Sequence, residues 1–205
     1  MKIHNIEQKS EPWFALRLQY PLTASNAQAI GNQGAGLETL CWEKMSEKYS
    51  SAEKEQFTNK HLERGNELEP QAVSLYELKT GNKVEQVGFV TNDEISIVGG
   101  ASPDGHVNED GNLEIKCFND DKFFRMIIEQ KTKGDFKIDS RYEWQMQMQM
   151  LFNKRSWTDF VAYNPNFKQS MLIKRVSPDF LMQQKIITGL KMGENIIKKI
   201  EANVK

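Results

Sequence analysis

The sequence predicts a mixed α/β protein in which helices cover the faces of a central β-sheet. Three observations carry that expectation. Segments with apolar residues every three or four positions give way to short runs of strand character, then return. Their order is helices, a strand cluster followed by helix, two further strands and a last helix. The chain has 205 residues, 39% of them hydrophobic, which suits one domain spanning 1–205 with a sizeable core.

Taken from the N-terminus, Trp13 to Leu18 reads as a short helix or turn carrying Arg17. Thr23-Ala24-Ser25 offers an N-cap ahead of a helix from Asn26 to Ile30, which Gly31 would end. Asn32 to Gly36 is a loop. Leu37 to Tyr49 is helical, with Leu37, Leu40, Cys41 and Met45 on one face. Ser50 to Lys54 is a polar break, and Phe57 to Lys79 is a further helix closed by Gly81. Pro70 starts or kinks that helix, because proline lacks the interior N–H. Glu69 beside it is either a capping-box partner for Asn66 or a carboxylate for a metal site.

Val84 to Val90 and Ile95 to Val98 read as strands. Asp121 to Gln130 then reads as a helix with Phe124, Ile127 and Ile128 inward, and Lys131 to Asp139 as a mobile polar loop around Gly134. From Gln145 to Met150 glutamine and methionine alternate with the period of a strand. Both are good helix formers, however, and Ser140 can cap, so Ser140 to Phe152 is predicted helical. That puts Tyr142, Gln145 and Gln149 on one face, a stripe that by itself reads as solvated surface. Trp157 to Tyr163 and Met171 to Val176 are strands around Asn164-Pro165-Asn166. The last helix starts near Pro178 and buries Ile186, Leu190, Ile197 and Ile200.

The chemistry concentrates between Gly99 and Lys116. Ser102-Pro103-Asp104-Gly105 and Asn108-Glu109-Asp110-Gly111-Asn112 are turn signals, with Gly and Asn expected at positive φ. They predict a β-hairpin whose second strand is Leu113 to Phe118. Strand alternation turns Glu114 and Lys116 to one face and Leu113, Ile115 and Cys117 to the other. Asp104 comes back alongside Glu114. Two carboxylates and an amine then meet at one end of a sheet. Carboxylate oxygens suit Mg²⁺, and two such ions about 4 Å apart stabilise both the attacking and leaving oxygens of a phosphodiester displacement. The same residues also make an ordinary turn aspartate and a solvated Glu-x-Lys pair.

Other features bound the function. A formal net charge of −1 argues against a protein that simply coats nucleic acid, without excluding a locally basic groove. From Lys122 to Arg155 eight basic residues stand against four acidic ones, an excess that would attract a phosphate backbone. A helix start at Thr23 or Ser25, near Arg17, could hold an anion or be only a cap. No apolar run approaches the ~20 residues of a membrane span, and the N-terminus lacks a signal-peptide core. Cys41 and Cys117 form no metal-binding spacing and suggest a reducing cytoplasm.

In register these pieces resemble the phage lambda exonuclease family, the YqaJ-like viral recombinases, within the PD-(D/E)XK nucleases. The matching fragments are Trp13-x₃-Arg17-Leu18, Thr23-Ala24-Ser25, Gly65-x₃-Glu69, Ser102-Pro103-Asp104-Gly105, Leu113-Glu114-Ile115-Lys116-Cys117, Gln145-x-Gln147 and Tyr163-Asn164-Pro165. The resemblance implies a restriction-endonuclease-like core. It implies Asp104, Glu114, Glu69 and the Ile115 carbonyl as ligands of two Mg²⁺ ions (Mn²⁺ as a substitute), and Lys116 and Gln145 beside the attacking water. Lys116 would be a general base only if its pKa fell far from about 10.4, and otherwise an electrostatic stabiliser. Arg17, Thr23, Ser25 and Lys122 would bind the 5′-phosphate of a duplex end. The implied activity is 5′-to-3′ digestion of linear double-stranded DNA, leaving a 3′ strand for a single-strand-annealing protein. A ring-shaped homotrimer in the cytoplasm of a phage- or prophage-bearing host is the implied setting. An endonuclease on the same core and a non-catalytic DNA-binding recombination accessory protein are the alternatives. A related iron–sulfur nuclease is disfavoured, since two cysteines cannot supply four thiolates.

Overall fold

Leu113 and Ile115 pack on one side of their strand while Glu114 and Lys116 point to the other, and this alternation organises the larger of two sheets. A computed structural model describes residues 1–51 and 60–204, apart from the side chains of 60–63 and 66. The elements run β1 (Lys2–His4), α1 (Glu11–Gln19), β2 (Leu22–Thr23), a 3-10 turn (Ala24–Asn26), α2 (Ala27–Asn32), α3 (Ala35–Tyr49) and α4 (Lys60–Thr80). There follow β3 (Val84–Glu85), β4 (Phe89–Asn92), β5 (Ser96–Ala101), β6 (Gly105–Val107), β7 (Gly111–Cys117), α5 (Asp120–Lys133), α6 (Ser140–Asn153), β8 (Trp157–Tyr163), β9 (Met171–Val176) and α7 (Phe180–Val204).

The larger sheet has the order β3-β6-β7-β8-β9. Only β7 and β8 pair in parallel within it. A parallel pair needs a long crossover, and α5 and α6 supply it. The smaller sheet, β1-β4-β5-β2, is also mixed, with β2 parallel to β5. Where one central sheet was expected, the strands therefore divide between two. The predicted strand from Val84 to Val90 splits accordingly, β3 joining the larger sheet and β4 the smaller.

Helices cover both faces. Ala72 and Tyr76 of α4 pack on Leu113, Ile115 and Val161. On the opposite face Phe123, Met126 and Ile127 of α5 and Met146 of α6 pack against Phe160 and Leu172. A third cluster joins α2, α3 and α7 around Ile30, Leu40, Cys41, Ile186 and Leu190. There α7 approaches α2 so closely that a β-carbon at Gly189 would lie 1.9 Å from the Ile30 carbonyl oxygen. The expected apolar faces of α3 and α7 are the buried ones.

Several local expectations are corrected. Asn108 takes the positive φ between β6 and β7, while Gly105 and Gly111 lie inside strands. Their hydrogens are needed for Val84 and Trp157, which fill the space a side chain would take. Gln33, not Gly31, carries the left-handed cap of α2. Pro70 lies inside α4 and does not start it. The expected start at Phe57, the polar break at 52–54 and the Asn66 side chain lie outside the described residues. α5 buries Phe123, Met126 and Ile127, leaving Phe124 and Ile128 exposed. The Lys131–Asp139 segment is tethered: α5 continues to Lys133, and Phe136 and Ile138 are buried. Asp139, not Ser140, caps α6.

Candidate active site

The crossover returns α6 over the polar face of β7, and this brings the site together. Glu114 is fully buried. Gln145 Nε2 donates to its Oε1 at 2.8 Å and Gln149 Nε2 to its Oε2 at 2.6 Å, while the Lys116 ammonium is ion-paired with Oε1. Asp104 enters from the turn before β6. Its backbone N–H donates to the Leu113 carbonyl (3.1 Å), and its Oδ2 accepts the Ile115 N–H (2.6 Å). Ile115 thus serves the site through its backbone while its side chain fills the core under α4.

Burial pushes the Asp104 carboxyl well above the usual carboxylate range, and the neighbouring Glu114 charge pushes it further, with Lys116 opposing. For Lys116 burial works against the charged form. Glu114 and Asp104 outweigh it, so the ammonium is held above its ordinary pKa. Lys116 is thus the counter-charge of the carboxylates. Glu69 stands slightly apart. It is ion-paired with Lys9 at 3.1 Å and shares with Asp104 a cavity of about 780 Å³. The loop over this cavity is pinned by Gln8, which donates to the Val87 and Pro103 carbonyls. Among the described residues no three His, Cys, Asp or Glu side chains form a ready metal cage. Mg²⁺ does not need one, since it binds through one or two carboxylates with water and phosphate completing the shell. Two adjacent carboxylates, all-oxygen in donor chemistry, with the Asp104 proton held by burial and by the Glu114 charge beside it, fit such an ion.

A second group lies on α1 and the turn after β2. Arg17 Nη2 donates to Thr23 Oγ1 at 3.0 Å and to Ser25 Oγ at 3.4 Å, and the two hydroxyls are 3.0 Å apart. The guanidinium lies over the Trp13 ring, 4.4 Å from its centroid. Burial lowers the Arg17 pKa to about 10, so it stays charged at neutral pH. Thr23 precedes the 3-10 turn but makes no capping bond; its hydroxyl turns to Arg17 instead. Lys122 sits on the first turn of α5, 4.7 Å from the Phe118 ring centroid and 5.9 Å from that of Tyr142. Lys116 lies 5.2 Å from the same Tyr142 ring, which joins Lys122 to the carboxylate group.

Arg17, Thr23 and Ser25 do not touch the carboxylates. A relay links the groups: Trp13 Nε1 donates to Ser102 Oγ at 3.1 Å, and Gln149 reaches the Ser102 carbonyl at 3.3 Å. Gln149 and Trp13 are residues that sequence reasoning did not place in the site. The signal for Gln149 was its four-residue spacing from Gln145, legible as a site only once the facing strand is known to be polar.

The chain shares its fold with exonucleases of the restriction-endonuclease-like class. It superposes on the alkaline exonuclease LHK-Exo from Laribacter hongkongensis with a TM-score of 0.77 and 30% identity, over 95% of this chain and 98% of that one. The LHK-Exo complex with dAMP gives a TM-score of 0.74 at the same identity and coverage. A phage related exonuclease from Haemophilus somnus 129PT shares the fold at 16% identity (TM-score 0.64, 90% and 96% covered). No curated protein matches the sequence. Residues 12–156 match the YqaJ-like viral recombinase domain, and the chain belongs to that family. Family and neighbours together support a phage-type nuclease.

Proposed function

We propose that this chain is a Mg²⁺-dependent exonuclease that digests linear double-stranded DNA in the 5′-to-3′ direction from 5′-phosphorylated ends. The observation that carries the reading is the buried Glu114, held by two amides and Lys116 beside Asp104. Asp104 and Glu114, with Glu69 across the shared cavity and the Ile115 carbonyl, would hold the metal. When bound, Mg²⁺ (or Mn²⁺) supplies Lewis-acid stabilisation of charge on the phosphodiester oxygens. Lys116 neutralises phosphate charge as an ammonium, and Gln145 orients Glu114. Arg17, Thr23 and Ser25 offer one cation and two hydroxyls to a terminal phosphate, and Lys122 adds a second cation. The 3′ single strand left behind would serve a single-strand-annealing protein in the cytoplasm of a phage-bearing host. The working form would be a homotrimer ring. No helix of the described residues is long and apolar enough to cross a membrane.

The test is a linear duplex with or without a 5′-phosphate, incubated with Mg²⁺ or EDTA, beside a covalently closed circle. Nucleotide release from the phosphorylated linear duplex with Mg²⁺, and not from the circle, is the expected result. Cleavage of the circle would make the chain an endonuclease. EDTA-insensitive binding with no release from any substrate would make it an accessory DNA-binding protein.

A further inference from the structure

Behind Glu114 lies a polar arrangement that the reacting groups do not use. α6 runs over β7 so that their polar side chains match in turn: Tyr142 over Lys116, Gln145 and Gln149 on Glu114, Asn153 on Asn112. At the inner end of this seam the register sets His106, Asn112 and Thr158 side by side on β6, β7 and β8. Directly paired residues share a face, so all three meet the end of α6. His106 is 3% exposed, Asn153 1%, and Asn112, Gln149 and Thr158 are fully buried.

The protein does not meet the hydrogen-bonding capacity of this group. Asn153 Nδ2 donates to Asn112 Oδ1 at 3.3 Å, and His106 Nδ1 faces Arg155 at 3.0 Å. Asn112 Nδ2, Thr158 Oγ1 and Gln149 Oε1 find no partner among the described residues. Asn153 Oδ1 and His106 Nε2 find no partner either, although Asn153 is a neighbour of the His106 ring. Each buried group left so costs stability, and several together rival the stability of a whole domain. The unmet set mixes kinds: an amide donor, two carbonyl acceptors, an imidazole nitrogen whose role follows its tautomer, and a hydroxyl that is both. A cation would suit the oxygens but not the Asn112 amide or the adjacent Arg155. An anion would face the carbonyls. Water alone matches donor and acceptor together.

We propose that Asn112, Asn153, Thr158, His106 and Gln149 enclose an ordered-water site behind Glu114, and that this hydrated seam positions the catalytic carboxylate. The Gln149 amide is planar, so holding its Oε1 through water fixes the direction in which its Nε2 grips Glu114. The positioning role rests on the nuclease reading above; the water site does not. A high-resolution crystal structure of the wild-type chain should show ordered water ~3 Å from Asn112 Nδ2, Thr158 Oγ1 and Gln149 Oε1. Thr158→Val removes only the hydroxyl while keeping the branched shape. It should lower kcat on linear duplex DNA roughly three- to tenfold with KM unchanged, and Thr158→Ser should restore it. A dry seam at high resolution overturns the water site. Wild-type kcat in Thr158→Val, whatever its Tm, overturns the positioning role. If the wild-type chain releases no nucleotides, the nuclease reading and the positioning role fall together, and the crystallographic waters still decide the site.

Discussion

Replacing Arg17 by alanine tests the phosphate pocket more sharply than any loss of total activity would. Its Nη2 is shared between the Thr23 and Ser25 hydroxyls at 3.0 and 3.4 Å, a cation and two hydroxyls arranged to be taken over by a phosphate oxygen. A charge-assisted bond of that type contributes about 1.5–3 kcal/mol, which corresponds to roughly a 10- to 150-fold rate advantage for a 5′-phosphorylated end over a 5′-hydroxyl end. Arg17→Ala also removes the stacking on Trp13, about 0.5–2 kcal/mol. That loss falls equally on both substrates, so the ratio of their initial rates isolates the phosphate contact. The assay is nucleotide release from the two duplexes under single-turnover conditions at constant low salt, since screening weakens partly exposed charges. The ratio should collapse towards unity in Arg17→Ala and survive in part in Arg17→Lys, which keeps the charge and loses the fork. A full phosphate preference in Arg17→Ala would refute the pocket.

Three further outcomes follow from the same geometry. Lys116→Ala should abolish cleavage while leaving duplex binding nearly intact by fluorescence anisotropy; wild-type cleavage would remove the amine from the chemistry. Asp104 has a folded pKa above its unfolded one, so its contribution to stability is present in acid, below the ordinary carboxylate pKa, and is lost as pH rises through the raised value. In EDTA, Asp104→Asn should therefore melt above wild type at neutral pH and converge with it in acid, and Mg²⁺ should raise Tm in wild type only; coincident melting curves at neutral pH would contradict the paired-carboxylate account. Gly189→Ala forces α7 away from the Ile30 carbonyl and should cost about 1–3 kcal/mol by urea denaturation, whereas wild-type stability would mean the α2–α7 contact is looser than described.

On β7, α3 and α7 the sequence alone determined which residues share a face, whereas on α5 the buried face is Phe123, Met126 and Ile127 and not the expected one. Alternation sent Glu114 and Lys116 one way and Leu113 and Ile115 the other, and helical spacing named Leu37, Leu40, Cys41 and Met45 on α3 and Ile186, Leu190, Ile197 and Ile200 on α7, because periodicity is a local property of the backbone. It also placed Tyr142, Gln145 and Gln149 together without saying what they faced. Whether a glutamine stripe meets water or a carboxylate depends on what packs against it, and only the crossover of α6 onto β7 decided that, turning a surface pattern into the grip on Glu114. The division of the strands between two sheets, the inward turn of Phe136 and Ile138 and the relay from Trp13 through Ser102 to Gln149 have the same origin. Each joins residues far apart in the chain, and such contacts are selected by the burial and hydrogen bonding of the whole fold, which no local window of sequence contains.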